Sequence, residues 1–155
     1  MKKVLIGLLV ILVIIQFIRP ERNQATAATG QEIEAVYEVP APVNDILKRS
    51  CNDCHTNYTT YPWYANVQPV GWWLQHHINE GKEHLNFSIF GSYPAKKQAH
   101  KLEEVAEEVE EGNMPLESYT YVHSSSVLNK EDAAILSGWA KSLRQQIMQQ
   151  NNLSE

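Results

Sequence analysis

The chain has 155 residues, with 13 Lys and Arg, 18 Asp and Glu, and a formal net charge of −5. One domain usually takes about 100–200 residues, so this length excludes a multidomain enzyme. Most of the acidity follows residue 22, because residues 23–155 contain 9 basic and 17 acidic side chains, a net charge of −8. Phosphate backbones repel such a domain, which excludes nucleic acid as a partner.

The first 22 residues have the pattern of an export signal. Lys2 and Lys3 precede an apolar run of 15 residues, Val4–Ile18. A cleaved signal peptide has an apolar core of about 7–15 residues and a spanning helix needs about 17–25, so both remain open. Ala25-Thr26-Ala27 matches a cleavage pattern, but charged residues separate it from the run. We therefore expect residues 1–22 to be an uncleaved signal anchor, a transmembrane helix in the bacterial cytoplasmic membrane.

Two further segments follow the anchor. Residues 23–42 are rich in Ala, Thr, Gln, Glu and Pro and lack apolar periodicity, which predicts a flexible linker. Residues 43–150 form the predicted folded domain. Its position after the anchor places it on the periplasmic side of the membrane.

The predicted domain is all-α, because apolar residues recur at helical spacing and no segment alternates with period two. Four helices are expected: one from Val43 up to Cys51, one from Pro69 to Gly81, one over 95–111, and one that begins at the N-cap Asn129. A long aromatic-rich loop joins the first two. The inward stripe expected for the second helix is Val70, Trp73, Leu74, His77 and Ile78.

The chemistry is concentrated in Cys51-Asn52-Asp53-Cys54-His55, a C-x-x-C-H sequence typical of c-type haem attachment. A spacing of three presents both thiols to one edge of a porphyrin, where they add across its two vinyl groups. The adjacent His55 then supplies an imidazole to the iron. Attachment of this kind requires export, which the N-terminal segment provides. The sequence therefore predicts one covalent haem c per chain.

Three other interpretations of the two cysteines stay open. A disulfide across so short a loop stabilises little. A thioredoxin-like redox pair needs a βαβ context. A zinc site needs further ligands, for which His76, His77 and His84 are available, but there is no second cysteine pair.

The expected sixth ligand of the iron is Met114. It follows a predicted helix end and precedes Pro115, which favours an extended backbone. A thioether on such a loop can approach the haem face opposite His55. His77 is the rival ligand because it lies on the apolar stripe, and His123 is a weaker rival. Filling of the core is the alternative role for Met114.

Several motifs together resemble those of a family of small exported bacterial c-type mono-haem proteins, the haem-binding domain family, and more distantly class I cytochromes c. These are the run 51–64, Trp73-Leu74 with His77 and Gly81, the run 85–88, and the run 112–116 with Tyr119. The resemblance covers about residues 43–140. It implies a cytochrome c-like helical fold around one haem, with thioethers at Cys51 and Cys54, His55 as proximal ligand and Met114 as distal ligand. Lys82 stands where the family pattern leads us to expect Arg, which would weaken a propionate contact.

Two functions follow from these predictions. In the first, the domain is a one-electron carrier and not an enzyme, because two axial ligands leave no substrate position on the iron. Its partners would be redox proteins of the cell envelope, which a basic docking surface would suit. In the second, the domain is a haem-based sensor, a ligand-binding module or a small peroxidase-like enzyme, each of which needs a labile sixth ligand.

Overall fold

The computed structural model describes residues 1–154, and its regular structure is helical, with one isolated antiparallel bridge between Gln24 and Tyr58. Within this part of the chain there is no named strand, which confirms the all-α prediction. Short 3₁₀ turns at 63–66, 87–92 and 124–126 connect the helices. The helices are α1 (Lys2–Ile15), α2 (Ile33–Val36), α3 (Ala41–Ser50), α4 (Asn52–His55), α5 (Val70–His84), α6 (Ala95–Glu110), α7 (Glu117–Thr120) and α8 (Lys130–Gln150).

The core lies mainly between α6 and α8, the two longest helices of the domain. Their buried residues recur at helical spacing on both sides of the contact, and α3 and the 87–92 turn extend the same core. Asn129 caps α8, as the sequence predicts, and the structure adds a reciprocal pair of hydrogen bonds between Asn129 and Asp132. The buried residues of the pair are Ala99, Leu102, Ala106, Val109, Leu136, Ala140, Leu143 and Ile147.

The helix α5 differs from its prediction in two respects. It continues through Gly81 to His84, so the glycine does not end it. Only part of the expected stripe is buried: Leu74 and Ile78 face the core, whereas Trp73 is 47% exposed. Buried positions on this helix include Gly71 and Gln75 instead. The buried face of α5 therefore differs from the apolar stripe that the sequence predicts.

The transmembrane helix predicted over residues 1–22 is not supported. The N-terminal helix α1 has 14 residues and ends at Ile15. At 1.5 Å per residue it is about 21 Å long, against the roughly 30 Å of a hydrocarbon core. Among residues 1–154, no helix is both long and apolar enough to cross a membrane. The apolar side chains of α1 from Val4 to Ile14 are exposed, and Ile15 is half-buried.

The segment 23–42, which we expected to be a flexible linker, lies against the helical domain. Asn23 is buried and donates from Nδ2 to the Thr56 carbonyl and the Thr59 hydroxyl, both at 2.8 Å. Further along, Ile33 is fully buried in the core. The hydrogen bonds of Asn23 and the burial of Ile33 thus attach the segment to the domain, which composition alone does not reveal.

Candidate functional site

The two cysteines lie at the junction of α3 and α4. The backbone N–H groups of Cys54 and His55 both donate to the Cys51 carbonyl, at 3.1 and 3.0 Å, so the motif forms one tight helical turn. Both thiols are free. Burial raises the pKa of Cys51 to about 12 and that of Cys54 to about 11, with added repulsion from neighbouring negative charge. Both sulfurs are therefore held as neutral thiols.

These properties bear on the other interpretations of the pair. Catalytic and redox cysteines have lowered pKa values, the opposite of what burial produces here. The thiols are not joined in a disulfide. No group of three or more His, Cys, Asp or Glu side chains within residues 1–154 is arranged to hold a metal ion. The zinc interpretation thus finds no ligand set in the described chain.

The ring of His55 is oriented by a backbone carbonyl. Its Nδ1 donates to the Leu85 oxygen at 3.0 Å, which leaves Nε2 as the nitrogen with a free lone pair. The ring also meets Phe87 edge-on, with centroids 6.4 Å apart. Burial lowers the pKa of His55, so the imidazole is neutral near pH 7. Histidines that ligate metals have this arrangement, in which one nitrogen is fixed by a carbonyl and the other is available.

The carbonyl of Leu85 is itself held in place by side chains. Asn86 donates from Nδ2 to Asn57 Oδ1 at 2.9 Å and accepts from the Ser88 N–H at 3.0 Å. The Ser88 hydroxyl in turn accepts from the Asn57 N–H at 2.9 Å. These hydrogen bonds join the loop after the motif to the segment that follows α5. The orientation of His55 therefore depends on residues up to 33 positions away.

Close packing at Gly81 brings α5 against the motif. A Cβ atom at this position would lie 2.9 Å from the Cys54 carbonyl oxygen and 3.1 Å from Cys54 Cβ. Such distances are too short for any side chain. The glycine is thus required by helix–helix approach and not by a turn, which explains why α5 runs through it.

Met114 lies in the turn between α6 and α7. Its N–H donates to the Glu108 carbonyl at 3.1 Å, as does that of Asn113 at 2.9 Å, so the turn is attached to the end of α6. Gly112, at φ 77°, allows the chain to reverse there. Met114 itself is half-buried. The structure places the residue on an ordered turn, and its predicted role as a ligand stays a prediction.

The rival ligands have local partners. His77 donates from Nδ1 to the Trp73 carbonyl at 2.9 Å, and the two rings lie 4.3 Å apart. His123 donates from Nδ1 to the Tyr119 carbonyl at 3.1 Å.

Lys82, which stands where we expected Arg, has a partner in the segment 23–42. Its ammonium contacts the Asn23 amide oxygen, and burial lowers the pKa of Lys82. Lys82 thus ties the segment 23–42 to α5 beside the motif.

Next to the motif the structure brings together a polar cluster that the sequence did not predict. Tyr119 donates to Asp53 Oδ2 at 2.8 Å, and its ring stacks on His123 with centroids 4.2 Å apart. The Tyr64 hydroxyl donates to His123 Nε2 at 3.3 Å. Burial, together with the Asp53 carboxylate, raises the pKa of Tyr119, which keeps its hydroxyl a donor. These residues are up to 70 positions apart, so no local pattern marks them.

The residues of the motif fit a covalently held haem. Two neutral thiols on one helical turn stand beside a neutral imidazole whose Nε2 is unpaired and whose orientation is fixed. A family model described as a haem-binding domain matches residues 10–142, most of the chain. No curated protein and no solved structure matches the chain significantly.

Proposed function

Because this chain belongs to the haem-binding domain family, we propose that it is a c-type mono-haem protein that carries single electrons on the periplasmic side of the bacterial cytoplasmic membrane. The observation that supports c-type attachment is the joint arrangement of Cys51, Cys54 and His55. Both thiols are free and neutral, and the Leu85 carbonyl fixes the imidazole with Nε2 available. The same carbonyl contact is typical of a histidine bound to a metal.

The cysteines would hold the group by addition. Each thiol would form one S–C bond to a vinyl carbon, with its proton going to the other carbon of that vinyl, so that no oxidant would be needed. Burial raises the pKa of both thiols, so before attachment they would stay neutral and be less prone to metal capture and disulfide formation. His55 would supply the proximal ligand through Nε2. Bound in this way, the haem supplies reversible one-electron exchange at its iron.

Met114 is the proposed distal ligand, with His77 as the rival. The turn of Met114 is ordered by its hydrogen bonds to Glu108, and a thioether needs no deprotonation to bind iron. Thioether ligation raises the potential of the iron and leaves no position for a substrate. Both effects suit a carrier.

The helix α1 and the acidic surface of α6 bear on export and on docking of a redox partner. The apolar residues of α1, most of them exposed, would direct the chain to the membrane for export. Glu107 and Glu111 are exposed on the outer side of α6 and at its end, where they would face a basic redox partner. Fractionation of cells tests the location, since the haem domain should be accessible to protease only after the outer membrane is opened.

The test of attachment is the pair of variants Cys51→Ala and Cys54→Ala, alone and together, made with the c-type maturation machinery. We expect covalent haem to be lost completely in the double variant, because the chain has only these two cysteines. Haem staining of the denatured protein measures it. Covalent haem in the double variant would refute c-type attachment.

The test of the distal ligand uses the two internal methionines as a matched pair. Met114→Leu should abolish the far-red charge-transfer band that a Met-ligated ferric haem gives, whereas Met148→Leu on α8 should leave it unchanged. If the native protein lacks that band, and Met114→Leu changes nothing in the visible spectrum, Met114 is not the ligand. His77→Ala then tests the rival.

A ligand-binding haem module is the second candidate, and the polar cluster of Tyr64, Tyr119 and His123 favours it. Hydrogen-bond donors near an open coordination position are what such modules need. Rapid binding of carbon monoxide to the reduced protein would favour this candidate over the carrier. Slow binding, limited by loss of the sixth ligand, is expected of the carrier.

A further inference from the structure

Asp53, the second variable residue of C-x-x-C-H, has both carboxylate oxygens engaged. Oδ1 accepts the Thr60 N–H at 2.9 Å and Oδ2 accepts the Tyr119 hydroxyl at 2.8 Å. The first bond closes the loop that follows the motif. The second reaches a residue 66 positions away in the chain. The turn that presents the thiols is thus tied directly to a distant helix.

That distant helix, α7, begins three residues after Met114. The Tyr119 N–H donates to the Leu116 carbonyl at 2.9 Å, so its backbone is coupled to the residue after Pro115. On the other side, Met114 is held by the Glu108 carbonyl at 3.1 Å. The Met114 turn therefore lies between two attachments. One is to α6 and the other, through Tyr119, is to the haem-attachment motif.

The ring of Tyr119 is held independently of its hydroxyl. It stacks on His123 at 4.2 Å with an interplanar angle of 25°. His123 is fixed in turn by the Tyr119 carbonyl and the Tyr64 hydroxyl. Removal of the hydroxyl alone would therefore leave the ring in place and break only the link to Asp53. This makes the link testable without a general loss of structure.

We propose that Tyr119 is a positioning residue whose hydrogen bond to Asp53 holds the Met114 turn at a fixed distance from the attachment motif. The inference rests on the proposed function, because it concerns the ligand Met114 on an iron bound by His55. A phenol that donates to a carboxylate makes a short, charge-assisted hydrogen bond. Through it, the residue between the two cysteines controls how firmly the distal ligand stays bound.

The experiment compares Tyr119→Phe with Tyr121→Phe in the full haem-loaded chain. Tyr121 is 90% exposed, two residues away on the same segment, and serves as the matched control. Tyr119→Phe should keep its covalent haem, weaken the far-red band of Met ligation and bind carbon monoxide about tenfold faster when reduced. Tyr121→Phe should match the native protein in all three.

Asp53→Asn provides the reciprocal variant. Asn retains an oxygen for the Thr60 N–H and turns its NH2 group toward Tyr119, so a weaker neutral hydrogen bond replaces the charge-assisted one. The effect should go in the same direction as that of Tyr119→Phe and be smaller. The double variant should match Tyr119→Phe alone, since without the hydroxyl there is no bond to Asp53 left to weaken. Additive effects would show that the two residues act separately and would overturn the inference.

Failure of the inference is distinguishable from failure of the proposed function. If Met114→Leu removes the far-red band while Tyr119→Phe leaves the band and the carbon monoxide rate unchanged, Met114 is the ligand and the positioning role is wrong. If Met114→Leu changes nothing in the spectrum, the proposed ligation is wrong and the inference falls with it.

Discussion

The attachment region, residues 51–88, and the pair of helices α6 and α8 are stabilised in different ways. Between α6 and α8 the contact is apolar, and Leu102, Leu136 and Ile147 are fully buried there. The attachment region is joined largely by side-chain hydrogen bonds from buried Asn, Thr and Ser residues. It also leaves large apolar side chains uncovered, with Trp63 79% and Trp73 47% exposed.

This difference indicates a division of roles. Apolar burial contributes about 25 cal/mol per Å², so the α6–α8 pair stabilises the fold mainly through its buried apolar surface. Hydrogen bonds contribute less net stability, but they fix the orientation of the side chains that they join. A binding site depends on that orientation. A haem bound at Cys51 and Cys54 would add a large apolar surface to the region that has uncovered apolar side chains. The attachment region is therefore the part whose stability we expect haem to change.

The largest expected effect comes from the α6–α8 pair. Leu102→Ala should lower the free energy of unfolding by about 3 kcal/mol, because the truncated side chain leaves a cavity in a fully buried position. Denaturant unfolding measures the loss. The matched control is Ile135→Ala on α8, whose side chain is 36% exposed and should cost less than about 1 kcal/mol. Equal losses at the two positions would contradict the assignment of the core to this pair.

The same division explains how far the sequence could predict the structure. The helical spacing of apolar residues predicted α6 and α8, because the apolar stripes of these two helices pack against each other in one continuous core. It failed for Trp73 on α5, where the buried face includes the polar Gln75. The motif predicted that Cys51, Cys54 and His55 share one helical turn, because that arrangement depends on local spacing. Their role in haem attachment stays a prediction. The partners of Asp53 and His55 could not be predicted, because these bonds join residues that are distant in sequence.

Substitution of two helical glycines by Ala should change the stability by an intermediate amount. Gly81→Ala places a methyl group 2.9 Å from the Cys54 carbonyl oxygen, so α5 must shift from the motif at a cost of about 2 kcal/mol. Gly138→Ala on α8 meets nothing within 4 Å and should instead stabilise the protein by about 0.5–1 kcal/mol. Thermal unfolding measures both changes, and haem content should fall only for Gly81→Ala. A shift of the same sign at both glycines would show that helix propensity, and not the approach to Cys54, decides the outcome.

The smallest predicted effect concerns the ion pair between α3, which precedes the attachment region, and α8. Arg49 on α3 lies 2.7 Å from Asp132 on α8, and its hydrogen bond holds the pKa of that carboxyl below the usual 3.8. Asp132→Asn should cost about 0.5–1 kcal/mol at pH 7, whereas Asp45→Asn, at an exposed position on α3, should cost nothing measurable. A lowered folded-state pKa gives stability that is present above pH 3.8 and is lost as the pH falls through the folded-state pKa. Denaturant unfolding of native and Asp132→Asn proteins should therefore converge below pH 3.8, and a difference that persists unchanged in acid would show that Arg49 does not act through the charge of Asp132.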